Sequence, residues 1–213
     1  MAPSTRTTHL LYLHGFRSSP QSFKARMMAA HIASLNASAQ GGRQIAWACP
    51  QLPPSPAEAW ALIRQTTQDW PVETMAVIGS SLGGFYATVL AERMGCRAAV
   101  INPAVLPARD LARYIGEQTS FHDPQEHFFF RPEFIGELEA LAAHPITRPE
   151  RYWALIAKGD EVLNWQEMVA HYMPHNPGVA LTLLEDSDHA VSDFGQHMPG
   201  LLHWLGLDAR APR

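Results

Sequence analysis

Short apolar runs alternate with longer segments of helical periodicity along most of the chain. Six of the runs have the length and composition of buried strands, at residues 10–13, 45–49, 74–78, 98–101, 152–157 and 179–184. Because strands that are joined through helices pair in parallel, the pattern predicts an α/β fold with about six mostly parallel strands. Helices should cover both faces of this sheet and form a three-layer α/β/α sandwich.

Several of the helix-like segments carry start or stop signals. Ser19 and Ser55 each precede a proline, which is the typical sequence at a helix N-terminus. Gly95 is a typical residue just after a helix end. With these signals, the pattern predicts helices over residues 20–36, from residue 56 onward, and over residues 82–94, 165–172 and 195–204.

One stretch, at about residues 104–150, interrupts the alternation. It shows no clear strand pattern, and its periodicity predicts two helices, at about residues 107–117 and 132–143. Between them lies an aromatic group, Phe121 and residues 128–130. We expect a single domain over residues 1–213 with a cap-like insertion, whose aromatic residues are divided between the core and a substrate pocket.

The composition is that of a folded protein, since 46% of the 213 residues are hydrophobic and 17% are charged. The formal net charge is −4 and no run of Lys or Arg occurs, so we expect no nucleic-acid partner. The first apolar stretch, residues 10–13, is too short for a signal sequence or a membrane span. Cys49 and Cys96 form no Cys-x-x-Cys pair, which favours free thiols and a cytoplasmic location.

Residues 79–83 read Gly-Ser-Ser-Leu-Gly and lie between a predicted strand and a predicted helix. A Gly-x-Ser-x-Gly motif in this context forms a nucleophile elbow, a tight turn that lifts the middle serine above the sheet. The glycines lack a Cβ and let the strand and the helix approach closely. Ser81 is therefore the predicted nucleophile. In the shifted register Ser80 would be flanked by Ile78 and Leu82, which cannot relax the turn.

Two further polar candidates follow later predicted strands. His189, after the last strand, is the predicted general base, and Asp160, after the fifth strand, is the predicted acid that orients it. The order serine, acid, histidine along the chain is that of the α/β-hydrolases. Because the carboxyl ends of parallel strands share one edge of the sheet, we expect the three side chains to meet there. The alternative acids are Glu161, Asp186 and Asp188.

Two backbone N–H groups are predicted to stabilise a developing oxyanion. That of Leu82 lies at a helix N-terminus, where unpaired donors favour negative charge. The other belongs to Phe16, in the loop after the first strand, where His14 is interpreted as a hydrogen-bonded structural residue. Two segments that combine histidines and acids, residues 122–127 and 186–189, do not have recognisable metal-ligand spacing, so we expect no metal.

Five segments form a more specific combination of motifs: residues 12–20 (YLHGFRSSP), 79–86 (GSSLGGFY), 101–104 (INPA), 159–163 (GDEVL) and 188–190 (DHA). Together they resemble the YqiA/YcfP-type bacterial esterases, which are small α/β-hydrolases. The resemblance extends over about residues 10–204. It implies a hydrolase of carboxylic esters or acyl thioesters that uses no cofactor, with nucleophile, acid and base at Ser81, Asp160 and His189.

We therefore expect a serine hydrolase that cleaves small-molecule esters or acyl thioesters through an acyl-enzyme on Ser81. One alternative is a catalytically silent protein of the same fold that acts by binding. Another is an acyltransferase or amidase that uses the same three residues.

Overall fold

A computed structural model describes residues 6–39, 44–142, 145–173 and 178–208. These parts of the chain contain eight β-strands and seven α-helices. In chain order they are β1 (His9–Leu13), α1 (Phe23–Ser38), β2 (Ala46–Ala48), α2 (Pro56–Thr67), β3 (Met75–Ser80), α3 (Leu82–Met94), β4 (Arg97–Ile101), α4 (Pro107–Leu111), β5 (Gly116–Thr119), β6 (His127–Phe130), α5 (Glu133–Leu141), β7 (Tyr152–Ala157), α6 (Trp165–Tyr172), β8 (Ala180–Leu184) and α7 (Phe194–Leu205).

Six of the described strands form one parallel sheet in the order β2-β1-β3-β4-β7-β8. Side chains alternate between its two faces. On β1, Leu10 and Tyr12 pack with α1 and α7, while Leu11 and Leu13 pack with α2 and α3. Both faces of the central strands are thus covered, which explains why these strands are continuous apolar runs rather than alternating ones. The predicted three-layer α/β/α sandwich is confirmed.

The first helix begins later than its sequence predicts. The Ser19 hydroxyl accepts a hydrogen bond from the Gln21 N–H at 3.1 Å, and the Ser19 carbonyl accepts one from the Ser22 N–H at 3.0 Å. These two bonds place Ser19 and Pro20 in a turn, and the residue before the helix is Ser22. Ser55, by contrast, accepts a hydrogen bond from the Glu58 N–H at 3.2 Å and caps α2 as predicted.

The insertion contains a β-hairpin, so the prediction that it has no strand is wrong. β5 pairs antiparallel with β6, and the predicted helix over residues 107–117 ends early, as α4 and a 3₁₀ turn at Ala112–Tyr114. Gly116, with φ of +127°, begins the hairpin. Along β6 the aromatic side chains alternate, since Phe129 is 54% exposed and Phe130 is buried. The second predicted helix is α5; residue 143 lies outside the described residues.

Both cysteines are free thiols, as predicted. Burial raises the pKa of the Cys49 and Cys96 thiols to about 12, so neither is a nucleophile at neutral pH. No helix in the described ranges is both long and apolar enough to cross a membrane.

Candidate active site

Ser81 lies on a strained turn directly after β3. Its backbone has φ of +56° and ψ of −122°, a combination that costs a non-glycine residue about 1–3 kcal/mol. The two motif glycines are needed because backbone atoms pass close by. A Cβ on Gly79 would lie 2.2 Å from the Gly83 carbonyl oxygen, and a Cβ on Gly83 would lie 2.0 Å from the Leu13 carbonyl oxygen. The turn therefore has the conformation of a nucleophile elbow.

The close approach at Gly83 predicts a large loss of stability in Gly83→Ala. The added methyl group meets β1 backbone, which cannot move aside, so we expect the free energy of unfolding to fall by roughly 3 kcal/mol or more. Gly136→Ala is the matched control, because nothing lies within 4 Å of the new methyl in α5. It should gain about 0.5–1 kcal/mol from helix propensity. Urea unfolding measures the free energy of unfolding of both variants. Equal changes in Gly83→Ala and Gly136→Ala would contradict the close packing described at the elbow.

His189 contacts both other predicted site residues. Its Nε2 lies 3.1 Å from the Ser81 hydroxyl oxygen, and its Nδ1 lies 2.7 Å from Asp160 Oδ2. The Asp160 side chain is fully buried, and that of His189 is 19% exposed. Asp160 Oδ1 accepts hydrogen bonds from the Val162 and Leu163 N–H groups at 2.9 and 2.7 Å. The carboxylate is thereby fixed by its own turn, with Oδ2 directed at the imidazole.

The alternative acids lie elsewhere. Glu161 Oε2 accepts a hydrogen bond from the His189 backbone N–H at 3.0 Å, so it contacts the loop rather than the ring. Asp188 accepts hydrogen bonds from the N–H and the hydroxyl of Ser192 at 2.8 and 2.6 Å. Asp186 lies in the loop after β8 and is exposed. The structure therefore brings Asp160, rather than its three competitors, to His189 Nδ1.

The two predicted oxyanion donors border the same site. Phe16 and Leu82 line, together with Ser81 and His189, a pocket of about 130 Å³. Among the described residues, no acceptor is bonded to the backbone N–H of Phe16 or of Leu82. Both groups thus have unused hydrogen-bonding capacity beside the serine. The walls of the pocket are mainly apolar and come from both the sheet edge and the insertion: Ala104, Pro107, Leu111, Tyr114, Phe121, Val162 and Leu163.

The hairpin of the insertion holds the Phe16 loop in place. The Phe16 ring packs against the Phe128 and Phe130 rings, with centroids 5.8 and 5.1 Å away. Next to it, Arg17 Nε donates to the Thr119 carbonyl oxygen at 2.7 Å, and the Arg17 carbonyl accepts from the Phe121 N–H at 2.8 Å. The aromatic group therefore contributes both to the core and to the surroundings of the site.

His14 also stabilises the loop that carries Phe16. The Leu52 N–H donates to His14 Nε2 at 3.1 Å, so the proton of the neutral ring is on Nδ1, which donates to the Gly15 carbonyl at 2.9 Å. Burial lowers the pKa of His14 below its ordinary value of 6.5, although the Gly15 carbonyl opposes this. His14 is thus a hydrogen-bonded residue of the loop, and both of its ring nitrogens are bonded to backbone groups rather than to Ser81.

The lowered pKa of His14 predicts acid-sensitive folding. The unfolded chain binds this proton more readily than the folded one, so the stability contributed by neutral His14 is complete above about pH 6.5 and is lost as the pH falls below that value. We expect the thermal unfolding midpoint to fall on acidification through this range, and to fall less steeply in His14→Gln. Identical pH slopes for the two proteins, measured by circular dichroism, would contradict this assignment.

Sequence reasoning did not identify a role for Asn102, which follows β4. The residue is fully buried, has φ of +41°, and donates hydrogen bonds from its amide to the His189 loop. The available signal is the Asn-Pro pair at the end of an apolar run, since asparagine tolerates the left-handed backbone region better than most residues.

A family model described as Uncharacterised protein family (UPF0227) matches residues 9–206. The chain belongs to this family. The match confirms the YqiA/YcfP-type resemblance that the five sequence motifs indicated. The match extends from the start of β1 to the end of α7 and therefore includes every residue of the candidate site described above.

Solved structures with the same fold differ widely in sequence from this UPF0227 chain. Alpha/beta hydrolase domain-containing protein 10 from mouse is 18% identical, with a TM-score of 0.67 over 93% of this chain and 90% of the mouse chain. A metagenome-derived lipolytic enzyme of the LipS and LipT pair is 18% identical, with a TM-score of 0.64 over 96% of both chains. The esterase domain of a Rhodothermus marinus protein is 16% identical, with a TM-score of 0.60 over 97% of this chain and 87% of that domain. These similarities show the α/β-hydrolase fold.

Proposed function

We propose that this protein is a serine hydrolase that cleaves carboxylic esters or acyl thioesters. The observation that carries the proposal is the unbroken series of contacts from Ser81 through His189 to the buried Asp160. A serine hydroxyl is a weak nucleophile by itself and needs an adjacent base that a third group orients. The fold is also one in which the structurally similar proteins are described as hydrolases, esterases and lipolytic enzymes.

In the proposed reaction, His189 Nε2 takes the proton of the Ser81 hydroxyl as its oxygen attacks the substrate carbonyl carbon. The carbonyl oxygen becomes negatively charged and accepts hydrogen bonds from the Phe16 and Leu82 N–H groups. His189 then gives its proton to the departing alcohol or thiol, and the acyl group stays on Ser81. Water repeats the same steps and releases the carboxylic acid. Asp160 holds the imidazole tautomer and stabilises its charged form.

The lining of the pocket supports an apolar substrate group next to the reacting carbonyl. Its side chains are mainly aliphatic and aromatic, and its volume of about 130 Å³ suits a short chain. We propose that residues 104–150 act as the cap of a single domain over this pocket, since α4, the following turn and the hairpin loop supply much of its wall. No step of the reaction calls for a cofactor.

Labelling with a fluorophosphonate probe at neutral pH tests the proposal. An assembled serine-hydrolase site gives one covalent adduct, which peptide mass spectrometry locates on Ser81 and which heat denaturation before labelling prevents. A panel of esters and acyl thioesters of increasing chain length then defines the substrate class. Folded protein that forms no adduct and hydrolyses none of the panel would instead support a binding protein of this fold.

A further inference from the structure

One strand at the centre of the sheet contributes none of the proposed reacting groups. Phe16, Ser81, Asp160 and His189 follow β1, β3, β7 and β8, and β4 lies between the strands that precede Ser81 and Asp160. The residue that follows β4 is Asn102. It is fully buried, with φ of +41°. A buried amide in an uncommon backbone conformation raises the question of what it binds.

The Asn102 side chain joins two elements of the site. Its Oδ1 accepts a hydrogen bond from the N–H of Ala157, the last residue of β7, at 2.7 Å. Its Nδ2 donates to the carbonyl oxygens of Asp188 and His189, each at 3.0 Å. One amide thus ties the end of the strand that precedes Asp160 to the backbone of the loop that carries His189.

The backbone around Asn102 is tied to the elbow as well. The Ser81 N–H donates to the Ile101 carbonyl, and the Ala104 N–H donates to the Ser81 carbonyl, both at 3.0 Å. The Asn102 N–H itself donates to the Leu155 carbonyl on β7 at 2.9 Å. Residues 101–104 therefore hold the backbone segments of all three residues that the proposed reaction uses.

We propose that Asn102 is a positioning residue for the proposed hydrolase, and the inference rests on that function. By fixing the His189 carbonyl to the end of β7, the amide lets the His189 ring contact Asp160 and Ser81 at the same time. A displacement of about 1 Å in such a group costs on the order of 100-fold in rate. The amide does not touch the reacting atoms and acts only through the His189 loop.

Asn102→Asp is the test substitution. It keeps the acceptor for the Ala157 N–H but replaces the donor with an oxygen that faces two carbonyl oxygens, so the His189 loop must move. We expect kcat for an ester substrate to fall by about 10- to 100-fold while KM changes by less than about twofold. A loss confined to KM, or an unchanged kcat in folded protein, would overturn the inference.

Asn36→Asp is the matched control. The Asn36 amide also joins two elements, since it donates to the Ile45 carbonyl at 2.9 Å and accepts from the Ile45 N–H at 2.8 Å. It lies at the end of α1, away from the site. This variant should lose thermal stability and keep the native kcat. If kcat falls equally in both variants, the effect is general destabilisation and the proposal is wrong.

Two further measurements keep the test decisive. Asn102→Gly retains the left-handed backbone without the amide, and it must show the same loss of kcat if the aspartate variant does not fold. Proton NMR of the His189 Nδ1–H, which is shifted downfield by its bond to Asp160, reports the alignment of the ring without turnover.

If the native protein is not labelled by the fluorophosphonate probe and hydrolyses no ester, the proposed function fails. Loss of this resonance in Asn102→Gly would still support positioning by Asn102, and its persistence would refute it.

Discussion

Ser81→Ala should lower kcat for ester hydrolysis by about 10⁴- to 10⁶-fold, because no other group can form the acyl-enzyme. Among the described residues, the Ser81 hydroxyl is hydrogen-bonded only to His189 Nε2. Its removal therefore leaves one ring nitrogen without that bond, on a side chain that is 19% exposed. The thermal midpoint should stay within about 2 °C of the native value. Steady-state kinetics and fluorophosphonate labelling measure the loss, and differential scanning fluorimetry confirms that the variant is folded.

Ser80→Ala is the control that matches it. Ser80 is the neighbouring residue and the last residue of β3, but within the described ranges no base is hydrogen-bonded to its hydroxyl, whereas His189 is bonded to that of Ser81. This variant should keep turnover close to that of the native protein and should still be labelled at residue 81. Ester hydrolysis that persists in Ser81→Ala, or that is lost only in Ser80→Ala, would refute the assignment of the nucleophile.

The strands of the sheet and the elbow could be predicted from the sequence because their signals are local. A central parallel strand is buried on both faces and so must be continuously apolar, as in residues 152–157, and each such run ends where the strand ends. The elbow is equally local, since the glycines that relieve its backbone lie within two residues of Ser81. Both signals can therefore be recognised without knowing a distant partner, although Gly83 also leaves room for the Leu13 carbonyl oxygen of β1.

The hairpin and the role of Asn102 could not be predicted, because both depend on partners elsewhere in the chain. The run of three phenylalanines in β6 fits a buried helix or a strand equally well, and pairing with β5 decides between them. The partners of the Asn102 amide lie 55 to 87 residues further along the chain. Likewise, the choice between Asp160 and Glu161 depends on the turn in which Asp160 accepts two backbone N–H groups, which the neighbouring sequence does not specify.

Asp160→Asn should lower kcat by about 10⁴-fold while the site stays assembled, as the same change does in a serine protease. In the native protein Asp160 Oδ1 accepts two backbone N–H groups and Oδ2 accepts the His189 Nδ1 proton. An asparagine must keep its oxygen toward the two N–H groups, so its NH₂ group faces Nδ1. The neutral imidazole then carries its proton on Nε2 instead of Nδ1. Because Nε2 is already protonated, it cannot accept the proton of the Ser81 hydroxyl.

The alternative acids provide the controls for this prediction. Asp188→Asn removes only the charge that contacts Ser192, and Glu161→Gln retains an acceptor for the His189 backbone N–H. Both should keep kcat within about tenfold of the native value, since neither group sets the imidazole tautomer. Stopped-flow measurement of acyl-enzyme formation separates the chemical step from binding. A large loss of kcat in Glu161→Gln or Asp188→Asn, with kcat near native in Asp160→Asn, would assign the acid to a different carboxylate. The His189 ring would then have to leave its contact with Asp160.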